Sequence, residues 1–153
     1  MAHAHGLAIF SPLVIGVAVT FCTIFIHAVA LAAIVQFVRH EQAVGHAGVR
    51  FSRNVLIVAG ATMLALAAHL VEMTAWGFVF VLCGEFRHLT SAFYHSAGNY
   101  TSLGDGAVVM SATWRLLGPL ETTDGMLMFG VSTAMIFAVI QRMIQARLQV
   151  SPN

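Results

Sequence analysis

Six consecutive residues between two apolar runs have the composition of a cation-binding backbone loop. They are Thr101, Ser102, Leu103, Gly104, Asp105 and Gly106. Consecutive backbone carbonyls can replace the hydration shell of an ion, and a carboxylate adds the hard oxygen that calcium prefers. Gly104 and Gly106 would allow alternate residues to take a positive φ, which turns successive carbonyls inward. The same residue types also suit an ordinary surface turn, so the flanking elements have to decide.

Two histidines and one glutamate within apolar runs are further candidates for a site. His69 and Glu72 are three residues apart and share a helical face. They suit an interhelical hydrogen-bond pair, which we favour, or a proton or metal site, because intramembrane acids are often functional. Alternatively, His27 and His69 on separate spans could hold a haem by two axial imidazoles. Cys22 and Cys83 show no metal-ligand spacing and are interpreted as packing thiols.

The composition is that of a membrane protein. Of the 153 residues, 59% are hydrophobic and 8% are charged, and the mean hydropathy is +0.86. Residues 11–38 carry no acid, lysine or arginine, and residues 55–83 and 125–140 form two further apolar runs. The third run is expected to continue as helix, after a break at Gly118-Pro119 and an entry turn over residues 120–124. We therefore predict three transmembrane helices.

The distribution of charge excludes some partners and predicts an orientation. The net charge is +1 and the seven basic residues are scattered, so nucleic acid is not expected as a partner. No nucleophile, base and orienting group recur together, so no enzyme is expected. By the positive-inside rule the N-terminus and residues 84–119 are outside, although Arg87 and Arg115 oppose this. The arginines that support it are Arg39, Arg50, Arg53, Arg142 and Arg147.

The segment before the six-residue loop suits a helix that enters the membrane halfway. Residues 88–100 offer a helix cap near Thr90 and then about ten aromatic and small residues, too few to span a bilayer. Non-helical backbone at membrane depth is tolerated only where it lines water or is buried in protein. A half-way helix followed by a glycine-containing loop meets that condition. We therefore predict an ion-conducting pore, with the negative C-terminal end of the helix pointing at the cation.

The order of span, short helix, loop and span resembles the pore domain of tetrameric potassium-channel-like proteins. Their filter reads TTVGYG, and residues 101–106 fall on it without a gap, while residues 92–100 fall on the pore helix. The resemblance covers about residues 55–145. The chain is also similar to small bacterial ion channels that carry a WRLLGP stretch, here residues 114–119. This resemblance implies a homotetramer with potassium, sodium or calcium ions bound in the filter and no other cofactor.

Departures from the potassium-selective pattern concern the filter. Asp105 replaces the usual Tyr or Phe, and Tyr94 and His95 occupy the place of paired pore-helix aromatics. The loop is similar to the TVGDG filter of the bacterial non-selective sodium/potassium channel. That similarity implies weak sodium/potassium selectivity and calcium binding or permeation, with Asp105 and Gly104 as metal ligands. A potassium-selective channel stays the alternative.

The resulting expectation is an all-α membrane protein with a re-entrant pore helix and filter loop in a homotetrameric pore. Residues 1–54 would form an N-terminal segment with an extra transmembrane helix and a cytoplasmic loop, and residues 55–153 the pore domain. Gly130 is a possible hinge. One face of the inner helix would line the cavity or, alternatively, pack on the second span. Its residues are Thr133, Phe137, Ile140 and Ile144. We expect the plasma membrane of a bacterium as the location.

Overall fold

Four helices account for most of the chain, and three of them are long enough to cross a membrane. The computed structural model describes residues 2–44, 51–104 and 108–150. Its helices are α1 (Ala2–Ala43), α2 (Phe51–Leu82), α3 (Leu89–Tyr100) and α4 (Leu117–Val150). The apolar stretches of α1, α2 and α4 contain 35, 32 and 31 residues, more than the roughly 20 that a bilayer requires. Within these described ranges no strand occurs. The predicted all-α membrane fold is confirmed.

The start of α4 differs from the sequence prediction. The predicted break at Gly118-Pro119 and the entry turn over residues 120–124 are wrong, because α4 begins at Leu117 and contains both. Proline is tolerated in the first turn of a helix, where its missing N–H would have no partner in the helix. The helix then runs on to Val150, so the predicted continuation past the third apolar run is confirmed. Glu121 and Asp124 are consequently helical residues.

The short helix α3 has 12 residues, about 18 Å at the α-helical rise, and cannot cross a bilayer. Its N-cap is His88, which makes no side-chain capping hydrogen bond. The predicted cap near Thr90 is wrong, since Thr90 lies inside the helix. α3 ends at Tyr100, and the six-residue loop therefore follows a helix C-terminus directly.

The first of two compact units contains α3. It is formed by the residues up to Ile26 together with His69–Met128. Trp76 and Phe80 of α2, Ala92 and Tyr100 of α3, and Leu117 of α4 have no exposed surface and form the centre of its core. Because apolar side chains from three helices pack there, α3 has a fixed environment on the side opposite to its exposed face.

The second unit consists of His27–Ala68 and the residues from Phe129 onward. Its core is apolar throughout, and its buried members are Ile34, Val38, Ile57, Ala61, Ala65, Val139 and Met143. The alanines let helices approach closely, as is usual between membrane helices. The proposed division at residue 54 stays a prediction, and it falls within the first turn of α2.

Candidate functional site

The backbone after α3 turns out of the helix through alternating left-handed residues. Ser102 has a φ of 60° and Gly104 a φ of 72°. The Ser102 N–H donates to Asn99 O over 3.0 Å, and the Gly104 N–H donates to Gly98 O over 3.0 Å. These bonds satisfy carbonyls that the end of α3 would otherwise leave open. The alternation expected from the glycines thus begins at Ser102.

The side chains of the loop face away from the core of the chain. Residues 101–104 are exposed, and Leu103 is 82% exposed. Asp105 and Gly106 lie outside the described residues, as does Ala107. The predicted filter and its metal ligands stay predictions, with Gly104 the described member of the ligand pair.

Tyr100, the last residue of α3, joins the predicted pair on α2. Its hydroxyl donates to Glu72 Oε2, and His69 Nδ1 lies 3.1 Å from the same hydroxyl oxygen. His69 Nδ1 is also 3.4 Å from Glu72 Oε2, and all three side chains are buried. This geometry is that of an interhelical hydrogen-bonded cluster, so His69 and Glu72 hold the end of α3 immediately before Thr101.

Ser96 connects α3 to two other helices. Its Oγ lies 2.7 Å from the carbonyl oxygen of Met73 on α2 and 2.5 Å from Glu121 Oε1 on α4. Ser96 and Glu121 have no exposed surface. Because buried polar groups require partners, these contacts fix the position of α3 along its length.

Asp124 of α4 accepts hydrogen bonds from two further helices. Its Oδ2 lies 2.8 Å from Trp76 Nε1 of α2 and 2.7 Å from Thr23 Oγ1 of α1. One carboxylate oxygen therefore joins three helices within the first unit. The extra helix α1 is in this way connected to the surroundings of α3.

The backbones of α3 and α4 approach each other closely at Gly125. A Cβ placed on Gly125 would lie 2.2 Å from Tyr100 O. A side chain at position 125 is therefore incompatible with this packing. Glycine at 125 lets α4 lie directly against the end of α3.

The connections on either side of α3 are also tied together. Glu85, after α2, accepts hydrogen bonds from the Ser111 N–H over 2.8 Å and from Ser111 Oγ over 2.6 Å. The two oxygens of one carboxylate thus bind a backbone and a side-chain donor of the same residue. This contact holds together the two ends of the segment that contains α3 and the loop.

Sequence reasoning missed the roles of the buried acids of α4 and their partners on α1 and α3. The chain has six acidic residues, and Glu72, Glu121 and Asp124 are buried. Acids in membrane-spanning segments are rare and usually functional, which is the signal that singles out Glu121 and Asp124. Their partners Thr23 and Ser96 carry no comparable signal.

The predicted pore-lining face lies in the second unit and is exposed in the single chain. Phe137 is 60% and Ile144 is 55% exposed, and Ile140 and Thr133 are also accessible. Ile140 and Ile144 line a groove of about 480 Å³ whose other wall is the start of α2. A Cβ on Gly130 would meet no atom within 4 Å. Pore lining and the hinge both stay predictions.

His27 has a hydrogen-bond partner within the second unit. Its Nε2 lies 3.1 Å from Ser132 Oγ, and both residues are buried. A haem ligand would need a free ring nitrogen for iron, and here Nε2 is engaged by the protein. The contact agrees with His27 as a hydrogen-bonded core residue.

The segment that contains α3 and the loop matches a known sequence family. Residues 68–142 match the family model described as Ion channel. Over these 75 of its 153 residues, the chain is similar to the ion-channel family. The match begins in the second half of α2 and includes α3, the loop and most of α4. No curated protein and no solved structure matches the chain.

The family assignment decides the broad class of the protein. It is a multi-pass membrane protein with an ion-channel domain, so its partners are the lipid bilayer and permeant ions. The assignment favours a pore over the haem alternative and over an enzyme. The matched stretch includes the residues of α2 and α4 whose hydrogen bonds hold α3, namely His69, Glu72, Met73 and Glu121.

Proposed function

We propose that four copies of the chain assemble around residues 101–106 into a cation channel. One chain supplies one loop, and a ring of carbonyls around an ion needs several loops. Four-fold symmetry would place identical carbonyls at equal distances from the axis. The exposed side chains of residues 101–104 would then be covered by neighbouring copies.

The observation that carries this proposal is the left-handed backbone at Ser102 and Gly104, directly after α3 and inside the matched segment. In an extended strand, successive carbonyls point to alternate sides. Positive φ at alternate residues turns these carbonyls toward one common side. The firmly held end of α3 supports this function, because Tyr100 is buried and hydrogen-bonded one residue before the loop. Such support limits the freedom of the carbonyls that replace an ion's hydration shell.

The proposed selectivity is weak between sodium and potassium, with calcium binding at the outer mouth. It rests on Asp105 at the position where the potassium-selective pattern has an aromatic residue. Four carboxylates around one axis repel one another, and a divalent cation relieves that repulsion. Calcium takes six to eight oxygen ligands, which carbonyls, carboxylates and water can supply.

We further propose a bacterial plasma membrane with the N-terminus outside, because more arginines flank the opposite side.

Assembly and conduction are tested on the purified full chain. Native mass measurement in lipid nanodiscs should give a tetramer, and a monomer or dimer as the only species would overturn the proposed assembly. Single-channel recording in planar bilayers should give similar sodium and potassium permeabilities and a calcium-dependent current. Strong potassium selectivity would favour the alternative, a potassium channel.

Two substitutions at Asp105 separate charge from shape. Asp105→Asn keeps the size of the side chain and removes the charge, so most calcium sensitivity should disappear. Asp105→Tyr moves the loop toward TTVGYG and should shift the reversal potential toward potassium. Unchanged calcium sensitivity in Asp105→Asn would show that this carboxylate does not form the calcium site.

A further inference from the structure

A cavity of about 720 Å³ lies in the first unit, between the start of α1 and the segment that leads into α4. We infer that this cavity binds one anionic phospholipid, with its phosphate on Arg115 and its acyl chain against the apolar wall. The residues that carry the inference are Ile9, Pro12, Thr113, Arg115, Leu116 and Pro119.

The position of the cavity fits an amphipathic ligand. The apolar stretch of α4 begins at Leu117, and Ile9 lies near the start of α1. The cavity therefore lies where hydrocarbon meets the headgroups. The wall of the cavity has aliphatic surface from Ile9, Pro12, Leu116 and Pro119. A hydrated inorganic anion would leave this surface exposed to water. A lipid supplies both the chain for this surface and the headgroup for its polar edge.

The charge in the cavity selects an anion. Arg115 lines the cavity and is exposed in the single chain. A guanidinium binds phosphate through two parallel N–H donors. Leu116 and Pro119 bracket the N-terminus of α4, whose partial positive charge favours the same anion. The Thr113 hydroxyl is a further donor at this edge.

The inference also explains an arginine on the unexpected side. The positive-inside rule predicts arginines at the cytoplasmic ends, and Arg115 lies in the segment before α4 that is assigned to the outer side. A lipid phosphate compensates its charge. This argument concerns lipid binding only and is independent of ion selectivity and of the number of subunits.

The test measures phospholipid retention by native mass spectrometry of the purified full chain. Protein stripped of lipid is titrated with phosphatidylglycerol or phosphatidylcholine. The unmodified chain should retain phosphatidylglycerol in preference, and Arg115→Gln should weaken this binding about tenfold or more, the effect of losing a charged hydrogen bond. Arg87→Gln is the matched control, because Arg87 is also an exposed arginine of the outer segment but does not line the cavity.

A second variant tests the apolar wall without changing charge. Ile9→Trp places a large ring against the apolar wall of the cavity and should displace the acyl chain, so phosphatidylglycerol binding should fall while Arg115 is intact. Thermal unfolding of each variant in detergent checks folding. Equal binding of the two lipids, or equal losses in Arg115→Gln and Arg87→Gln, would overturn the inference. A cross-link between two copies through Thr113→Cys that persists in excess phosphatidylglycerol would also overturn it, since a second copy would then fill the cavity.

Discussion

Trp76 and Asp124, which are 48 residues apart in the sequence, form a buried hydrogen bond of 2.8 Å between the indole Nε1 and Oδ2. Trp76 has no exposed surface and Asp124 is 1% exposed. Thr23 Oγ1 lies 2.7 Å from the same oxygen and 2.8 Å from Thr20 O, an alternative acceptor in its own helix. The indole N–H is therefore the donor that depends most on Asp124.

Asp124→Leu is expected to lower the free energy of unfolding by about 1–3 kcal/mol, the cost of leaving a buried donor unsatisfied. Adding Trp76→Phe to this variant removes the orphaned donor, so the two changes together should cost less than the sum of the single changes. Denaturant unfolding in detergent measures all three variants. Strictly additive effects would contradict a coupled hydrogen bond.

Ser96 provides a test of how α3 is held by α4. Its one hydroxyl proton faces two acceptors, Met73 O at 2.7 Å and Glu121 Oε1 at 2.5 Å. Glu121→Gln can donate an amide N–H to Ser96 Oγ while Ser96 donates to Met73, so this variant should retain stability and conductance. Glu121→Leu removes that partner from α3 and should cost about 1–3 kcal/mol. Thermal unfolding and single-channel recording compare the two, and equal losses in both would contradict the hydrogen-bond account.

Sequence reasoning predicts the membrane helices well because their signal is local. An uninterrupted apolar run fixes a span, and residues 89–100 are too few to cross, so α1, α2, α3 and the end of α4 follow directly. The start of α4 is different: Pro119, Glu121 and Asp124 look like a polar turn. They are helical, and each acid accepts a hydrogen bond from a distant residue, Ser96 for Glu121 and Trp76 for Asp124. Local sequence patterns do not reveal which residues will meet.

The partners in the hydrogen bonds around α3 are also difficult to predict from local sequence. His69 and Glu72 are recognisable as a pair because they lie on one helical face. Their partner Tyr100 is 31 residues from His69 and 28 from Glu72 in sequence, so only the fold shows that they hold the end of α3. The cap near Thr90 is wrong for a local reason, since α3 starts after His88 without any side-chain cap.

Gly130→Ala tests the proposed hinge. A methyl group at this position meets no atom within 4 Å, and alanine stabilises a helix interior by about 1 kcal/mol relative to glycine. The variant should unfold at a higher temperature and, if α4 bends there during gating, should show a lower open probability. Gly125→Ala is the contrasting change, because its Cβ would lie 2.2 Å from Tyr100 O, and it should destabilise the chain. Unchanged gating in a more stable Gly130→Ala variant would exclude the hinge.

Cysteine substitutions test the inner face of α4. In a background without Cys22 and Cys83, Phe137→Cys and Ile144→Cys should be modified by a charged thiol reagent applied from the cytoplasmic side, and the current of an open channel should fall. Val139→Cys is the control, because Val139 is 4% exposed and part of the core of its unit. No block at either test position would favour the alternative, in which this face packs against a helix.

The pH dependence of Cys83 modification tests the environment and orientation of the end of α2. Burial raises the pKa of the Cys83 thiol, and the nearby Glu85 carboxylate raises this pKa further. Because only the thiolate reacts, a raised pKa shifts the rise of the alkylation rate to higher pH than for an unhindered thiol. In a Cys22→Ser background, Glu85→Gln should move the profile part of the way back, since the charge is lost and the burial is kept. Ser111→Ala removes the side-chain hydrogen bond to Glu85 without removing the charge, so its profile should stay close to that of the background.

An impermeant maleimide on right-side-out vesicles measures these rates, and labelling only from the inside would reverse the proposed orientation. A profile at or below that of an unhindered thiol would contradict the raised pKa.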